Sequence, residues 1–242
     1  MFHSKRKLVL LPLLLLVFFA NAQTHFTQNQ QRFIAILDGF SSPSLPSIPG
    51  FQPKAQTVGN QYLFENWVPG TVVSSDGNTY SEGYLFNFNK ITQNLYIRLA
   101  DTAAAFLVNS KMLNEISLSD GSRTVRLQHV PSLDSNQLYE VLVQGGRYSL
   151  YSFTRTHFVA ANYFTNGVSS SGSMYDEFKD EKSYFVSSPD GRVTPLTLKK
   201  KTVRSFFGEE KEKLAKFFKE YEQPGIFDEN TLRSLVAFLS AP

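Results

Sequence analysis

The sequence predicts a mainly β fold with C-terminal helices. This is an α+β chain in which an antiparallel, hairpin-built sandwich or open barrel of about 9–10 strands is followed by two or three helices. Three observations predict it. Asp-Gly or Gly-Gly pairs at Asp76-Gly77, Asp120-Gly121, Gly145-Gly146 and Asp190-Gly191 separate apolar stretches, and such pairs supply the positive φ angles of tight hairpins. The stretches between them alternate with period two. From Lys199 onward the apolar period lengthens to about 3.6.

The first element is a targeting segment at residues 1–22. Lys5, Arg6 and Lys7 precede an apolar run from Leu8 to Ala20, and Ala20-Asn21-Ala22 supplies a small-x-small cleavage pattern between Ala22 and Gln23. The run is short for a bilayer span, which needs about 20 apolar residues. The expectation is a chain exported to the periplasm or outside the cell, with no transmembrane segment after cleavage.

Residues 23–54 follow as a short helix and a Pro-rich strap. Phe26, Phe33, Leu37 and Phe40 have helical spacing, with Asp38-Gly39 as a stop. Pro43, Pro46, Pro49 and Pro53 then recur almost every third residue, which suits an extended connector and forbids a helix or central strand.

Residues 55–198 form the β domain. Tyr84, Phe86 and Phe88 share one face, as do Leu95, Ile97 and Leu99, then Val125 and Leu127, then Tyr139, Val141 and Val143. The small-residue stretch at 166–173 reads as an exposed loop. In residues 199–242, Val203, Phe206, Phe207, Leu214, Phe217, Phe218 and Tyr221 make an apolar stripe interrupted by Glu210. Gly208 divides it, Pro224-Gly225 turns the chain, and Asp228 N-caps a last helix bearing Leu232, Leu235, Val236 and Leu239. The stripe is expected to pack on the sheet, with the Lys/Glu-rich face in solvent.

Charge narrows the partners. The chain has 24 Lys+Arg against 21 Asp+Glu. Three of the basic residues leave with the targeting segment, so the mature chain balances at 21 of each sign. A neutral protein has no global field for polyanions, which counts against nucleic acid as a partner. Cysteine is absent. That removes a thiol nucleophile and the attachment point of a bacterial lipoprotein anchor, and leaves stability to the core of a chain this long.

The residues carry little recognisable chemistry. His25, His129 and His157 lack metal-ligand spacing and read as structural histidines. Ser169 to Ser173 lacks the Gly-x-Ser-x-Gly pattern of a nucleophile elbow, and no Gly-rich loop leads from a strand into a helix to cradle phosphate. Neither a metal nor a cofactor is implied. Asp176, Glu177, Asp180 and Glu181 cluster with Lys179 and Lys182, a pattern read as a solvated charged turn. Paired carboxylates would serve glycoside hydrolysis only if the fold set them across a cleft about 5–10 Å apart. The best recognition candidate is the strand after Gly146, where Tyr151, Phe153, Arg155 and His157 share one face by period two. An aromatic–cationic stripe of this kind suits a sugar or a peptide carboxylate. Trp67, the only tryptophan, is a further stacking candidate.

Two stretches carry a resemblance. Trp67-Val68-Pro69-Gly70, then Asp76-Gly77 and GYLFNFNKITQNLYIRL, form the first; SYFVSSPDGRVTPLTLKKKTVRSFF, leading into the terminal helices, forms the second. In these the chain resembles uncharacterised exported β-rich proteins of Gram-negative bacteria. The resemblance implies an architecture and a location and carries over no catalytic residue.

Two functions follow as expectations. The first is a non-catalytic binding or assembly module of the periplasm or cell surface, with an envelope protein or glycan as partner. The second is a carboxylate-dependent hydrolase acting on envelope glycan or peptide. An outer-membrane barrel is a weaker third, because about 40 residues of helix follow the last strand and lipid-facing strands need a uniformly apolar face.

Overall fold

A computed structural model describes residues 57–99, 105–108, 110–221 and 227–241. Residues 1–54, where the sequence leads one to expect a targeting segment, a short helix and a Pro-rich strap, lie outside the described residues, including the Ala22–Gln23 junction.

Strands form where β-branched and aromatic residues alternate, and they stop at the four Gly pairs. These strands are β1 (Gly70–Ser74), β2 (Thr79–Tyr80), β3 (Tyr84–Asn89), β4 (Asn94–Leu99), β5 (Ala105–Val108), β6 (Leu113–Ser119) and β7 (Thr124–Gln128). They continue with β8 (Tyr139–Val143), β9 (Ser149–Val159), β10 (Phe164–Thr165), β11 (Ser170–Ser171), β12 (Glu177–Ser187) and β13 (Val193–Leu196). Ten of them have four residues or more. The predicted pairs sit at the β1–β2, β6–β7, β8–β9 and β12–β13 turns, and Gly77, Gly121, Gly145, Gly146 and Gly191 all have positive φ.

One eight-stranded antiparallel sheet runs β13-β12-β9-β8-β7-β6-β1-β2, and β3-β4-β5 form a separate three-stranded sheet. The architecture is a large open sheet with smaller ones, and no barrel closes. Asn87 and Asn89 of β3 are buried although both are polar. Asn87 Nδ2 donates to the Phe64 carbonyl at 2.9 Å and the Asn66 carbonyl at 3.2 Å. A buried amide so paired fixes the 64–66 loop to the sheet.

Helices α1 (Lys200–Phe206), α2 (Lys211–Tyr221) and α3 (Glu229–Ser240) follow, with a short 3₁₀ turn at Gly208–Glu210 between the first two. They bury Val203, Phe207, Leu214, Phe217, Leu232, Leu235, Val236 and Leu239 against Leu142, Leu150, Tyr184, Val186 and Leu196 of the sheet. Asp228 caps α3, accepting from Thr231 N–H at 2.8 Å. Glu210, the interruption in the apolar stripe, is buried beside Arg147 at 3.0 Å and accepts from the Tyr148 hydroxyl at 3.4 Å. The break in periodicity is thus a polar tie between helix and sheet. A second tie joins chain end to hairpin: Tyr148 N–H donates to Ser240 Oγ, which donates back to the Tyr148 carbonyl at 2.9 Å.

Candidate functional site

Strands β9 and β12 pair along eleven residues, from Ser149↔Ser187 to Val159↔Glu177. Their neighbours are much shorter. Pairing with β8 ends at Ser152, and pairing with β13 ends at Tyr184. The seven pairs from Phe153↔Ser183 to Val159↔Glu177 therefore continue as a two-stranded arm, roughly 20 Å long at about 3.3 Å per residue. The charged run at 176–182 belongs to this arm. The sequence reads it as a solvated charged turn; Lys179 to Lys182 are indeed exposed, but from Glu177 onward the run is strand, because Phe178, Tyr184 and Val186 supply period-two burial around it.

One face of the arm is braced. Val58 bridges Glu177, its N–H donates to the Asp176 carbonyl at 2.9 Å, and Phe178 N–H donates to the Val58 carbonyl at 2.8 Å. Gly59 allows that approach, since a Cβ there would meet the Phe178 carbonyl at 2.5 Å and its φ is +79°. Lys90, from the β3–β4 turn, binds both carboxylate oxygens of Asp180 at 2.7 and 2.9 Å.

Beyond Val159 the arm closes on itself in a small hairpin, β10–β11. The 166–173 stretch, read from sequence as a loop, is ordered by two asparagines. Asn166 Oδ1 accepts from Val168 N–H at 3.0 Å and Ser169 N–H at 2.8 Å. Asn162 Oδ1 accepts from Ser173 N–H at 2.8 Å. Asp176, itself buried, accepts from Ala161 N–H at 2.7 Å and ties off the base.

Large apolar side chains are exposed in one place. Phe158, Val159, Tyr163, Phe164, Val168, Met174 and Tyr175 lie on the arm, with Phe164 at 63%, Met174 at 71% and Val168 at 96% of full exposure. Of the two others among the described residues, Val58 belongs to the brace and Ile91 follows Lys90 in the β3–β4 turn. Scattered single apolar residues need no explanation, whereas a concentration of this kind marks a contact surface.

The four predicted residues of β9 occupy different environments. Tyr151 is buried with Val130 and Tyr139, and Phe153 packs against that cluster with its ring 5.5 Å from Tyr139. Arg155 and His157 emerge on the exposed face of the arm, where His157 Nε2 lies 3.3 Å from Glu181. Trp67 is half-buried on another part of the chain, with the Arg98 guanidinium 5.0 Å above its ring. Arg155 and His157 thus share the exposed face of β9, two residues apart, whereas Trp67 lies before β1 with Arg98 over its ring. Periodicity predicted the shared face correctly but not where the core ends along it. The arm tip itself was missed. Its one sequence signal is that residues 160–175 carry no charge while holding Tyr163, Phe164, Val168, Met174 and Tyr175.

A groove of about 300 Å³ is lined by Lys182 and Asp180 of the arm, Glu140 of β8, Arg123 before β7, and Glu229 and Arg233 of α3. Lys182 crosses it, 2.7 Å from Glu229 and 3.3 Å from Glu140. Glu140 accepts from Ser152 Oγ at 3.0 Å, and Glu229 accepts from the Tyr184 hydroxyl at 2.8 Å. Burial pushes the Glu229 carboxyl up, but the hydrogen bonds from Lys182 and Tyr184 outweigh it and hold the group below the usual carboxylate range. Burial and the adjacent Glu229 raise the Tyr184 phenol well above its ordinary value, so it stays protonated and donates. An ionised, ion-paired carboxylate is poorly placed to act as a general acid near neutral pH.

His129 has both ring nitrogens 2.9 Å from backbone carbonyl oxygens, of Gln137 and Ser110, which is a structural arrangement. Among the described residues, no three His, Asp or Glu side chains converge as a metal set. No helix among them is long and apolar enough to cross a membrane. Compared with protein-family models, curated proteins and solved structures, the chain matches none.

Proposed function

We propose that the protein is an exported, non-catalytic binding or assembly module of the periplasm or cell surface, and that the β9–β12 arm is its contact element. The observation that carries the reading is the gathering of exposed large apolar residues on the arm and its brace. The targeting segment at residues 1–22 supports the location. The experiment is capture from a native cell envelope, run beside a glycan array, with wild type and with Phe164→Asp/Val168→Asp. Retention of an envelope component or glycan by wild type and its loss in the variant is expected. Equal retention by both proteins, or none by either, overturns the reading.

A second reading, a carboxylate-dependent hydrolase of envelope glycan or peptide, rests on Glu140 and Glu229 converging on one ammonium group in the groove. Against it stands the engagement of both carboxylates with Lys182. Release of reducing ends or free amines from envelope material, abolished by Glu229→Gln, would favour it over the first reading.

A further inference from the structure

We propose that the tip of the arm docks by shallow insertion into the interfacial layer of a lipid bilayer. The inference deepens the contact-element reading above and rests on it. Three properties of the tip lead there.

The first is charge layering. Residues 160–175 carry no Asp, Glu, Lys, Arg or His, whereas Arg155, His157, Lys179 and Glu181 are exposed along the stem behind them. An uncharged apex with a mixed-charge collar matches the order of a bilayer surface, apolar beneath and ionic above. The uncharged segment also carries Tyr163 and Tyr175, both exposed, and amphipathic rings of this kind are favoured at membrane interfaces.

The second is the distribution of apolar side chains. Phe158 and Val159 are adjacent in β9 and point to opposite faces, Val159 to the open face and Phe158 to the braced one, where its ring lies 5.5 Å from that of Phe178 and it is still 38% exposed. Val168, at the turn, is almost wholly exposed. A protein partner seated on one face would leave the other wet, while lipid surrounds an inserted tip on all sides.

The third is backbone satisfaction. A segment entering the interface loses water from its N–H groups, each of which is then costly if unpaired. In the tip, Phe164 and Thr165 pair with Ser171 and Ser170, and Asn166 Oδ1 takes the Val168 and Ser169 N–H groups. Gly167 N–H donates to Thr165 Oγ1 at 3.2 Å, and Asn162 N–H to the Ser173 carbonyl at 3.0 Å. The hairpin brings its own partners to a depth of about 5–10 Å, typical of interfacial insertion.

The test uses the chain purified after export, its first residue shown by mass spectrometry to be the same in every sample, and vesicles of phosphatidylcholine alone or mixed with phosphatidylglycerol. The chain has no cysteine, so Val168→Cys accepts a single environment-sensitive dye. The expected result is co-flotation with both vesicle types, little changed by salt because the tip is uncharged. A blue shift of the dye should accompany binding. Phe164→Asp/Met174→Asp should lower vesicle partitioning about tenfold or more, with its thermal midpoint unchanged. Absence of a dye shift, or partitioning equal in wild type and variant, overturns the lipid inference. If that happens while arm-dependent capture of an envelope protein or glycan persists, the contact-element reading stands and its partner is not lipid. If arm-dependent capture is lost as well, both fall.

Discussion

The two halves of the β9–β12 hairpin share one uninterrupted register and have opposite fates. In the inner half, Leu150, Tyr184 and Val186 are sealed beneath α2 and α3. In the outer half, Phe178 is still buried where the Val58–Gly59 segment lies against it, whereas Phe158, Val159 and the tip meet solvent. Backbone pairing therefore does not decide burial here. Cover does: the helices pack on the end of the ladder next to β8 and β13, the Val58–Gly59 segment lies against the buried Phe178 farther out, and the tip has neither. A strand pair extended past its cover becomes a surface feature, and what it presents there is free to serve contact and not stability.

Substitutions can break or sharpen this contrast. The largest effect is expected beneath the helices. Leu235 is fully buried, and Leu235→Ala should cost about 2–5 kcal/mol in chemical denaturation. A loss below about 1 kcal/mol would mean that the helices do not seal the sheet. Next is the junction that sets α3 against the β8–β9 turn. Gly146 has φ of +82° and sits against the Ser240 backbone, so Gly146→Ala should destabilise by about 1–3 kcal/mol, read by thermal unfolding. Glu229, at the border between the halves, makes stability depend on pH. Its carboxyl is held below the ordinary range in the folded chain. Its contribution is therefore present above the unfolded pKa of about 4.3 and is lost as pH falls through the lower folded value. Glu229→Gln should flatten the acid side of a stability–pH curve, and an unchanged curve would remove the Lys182 bridge from the account. The smallest effect belongs to the tip, where Phe164→Asp and Val168→Asp should each shift stability by no more than about 0.5 kcal/mol.

Much of the architecture was legible because its signals are local. The four Gly-containing turns lie between the strands they were expected to join, Gly208 divides the terminal helices, and Asp228 caps the last one. A turn needs only a residue that tolerates positive φ, and a cap needs only a side-chain oxygen near its own amides. The candidate site was less legible. Tyr151, Phe153, Arg155 and His157 share a face as period two requires. How far the core extends along that face depends on Tyr139 of β8 and on Val130 of the loop before it. Nothing in MYDEFKDEKSYF distinguishes a solvated turn from an arm strand, since its outward residues are polar either way. Glu210 looked like a flaw in an apolar stripe until Arg147 and Tyr148, some 60 residues away in sequence, accounted for it.

By itself the sequence determined a hairpin-built β fold followed by helices, an uncharged stretch at 160–175, and a balance of 21 basic and 21 acidic residues over 23–242. Tertiary structure alone decided that this stretch stands at the end of a projecting arm. It also decided that Glu140, Lys182 and Glu229 meet in one groove. The physical reason is the reach of the interactions. Turn chemistry and side-chain period act within a few residues, whereas exposure and charge pairing depend on which distant elements are long enough to cover, or to meet, a given strand.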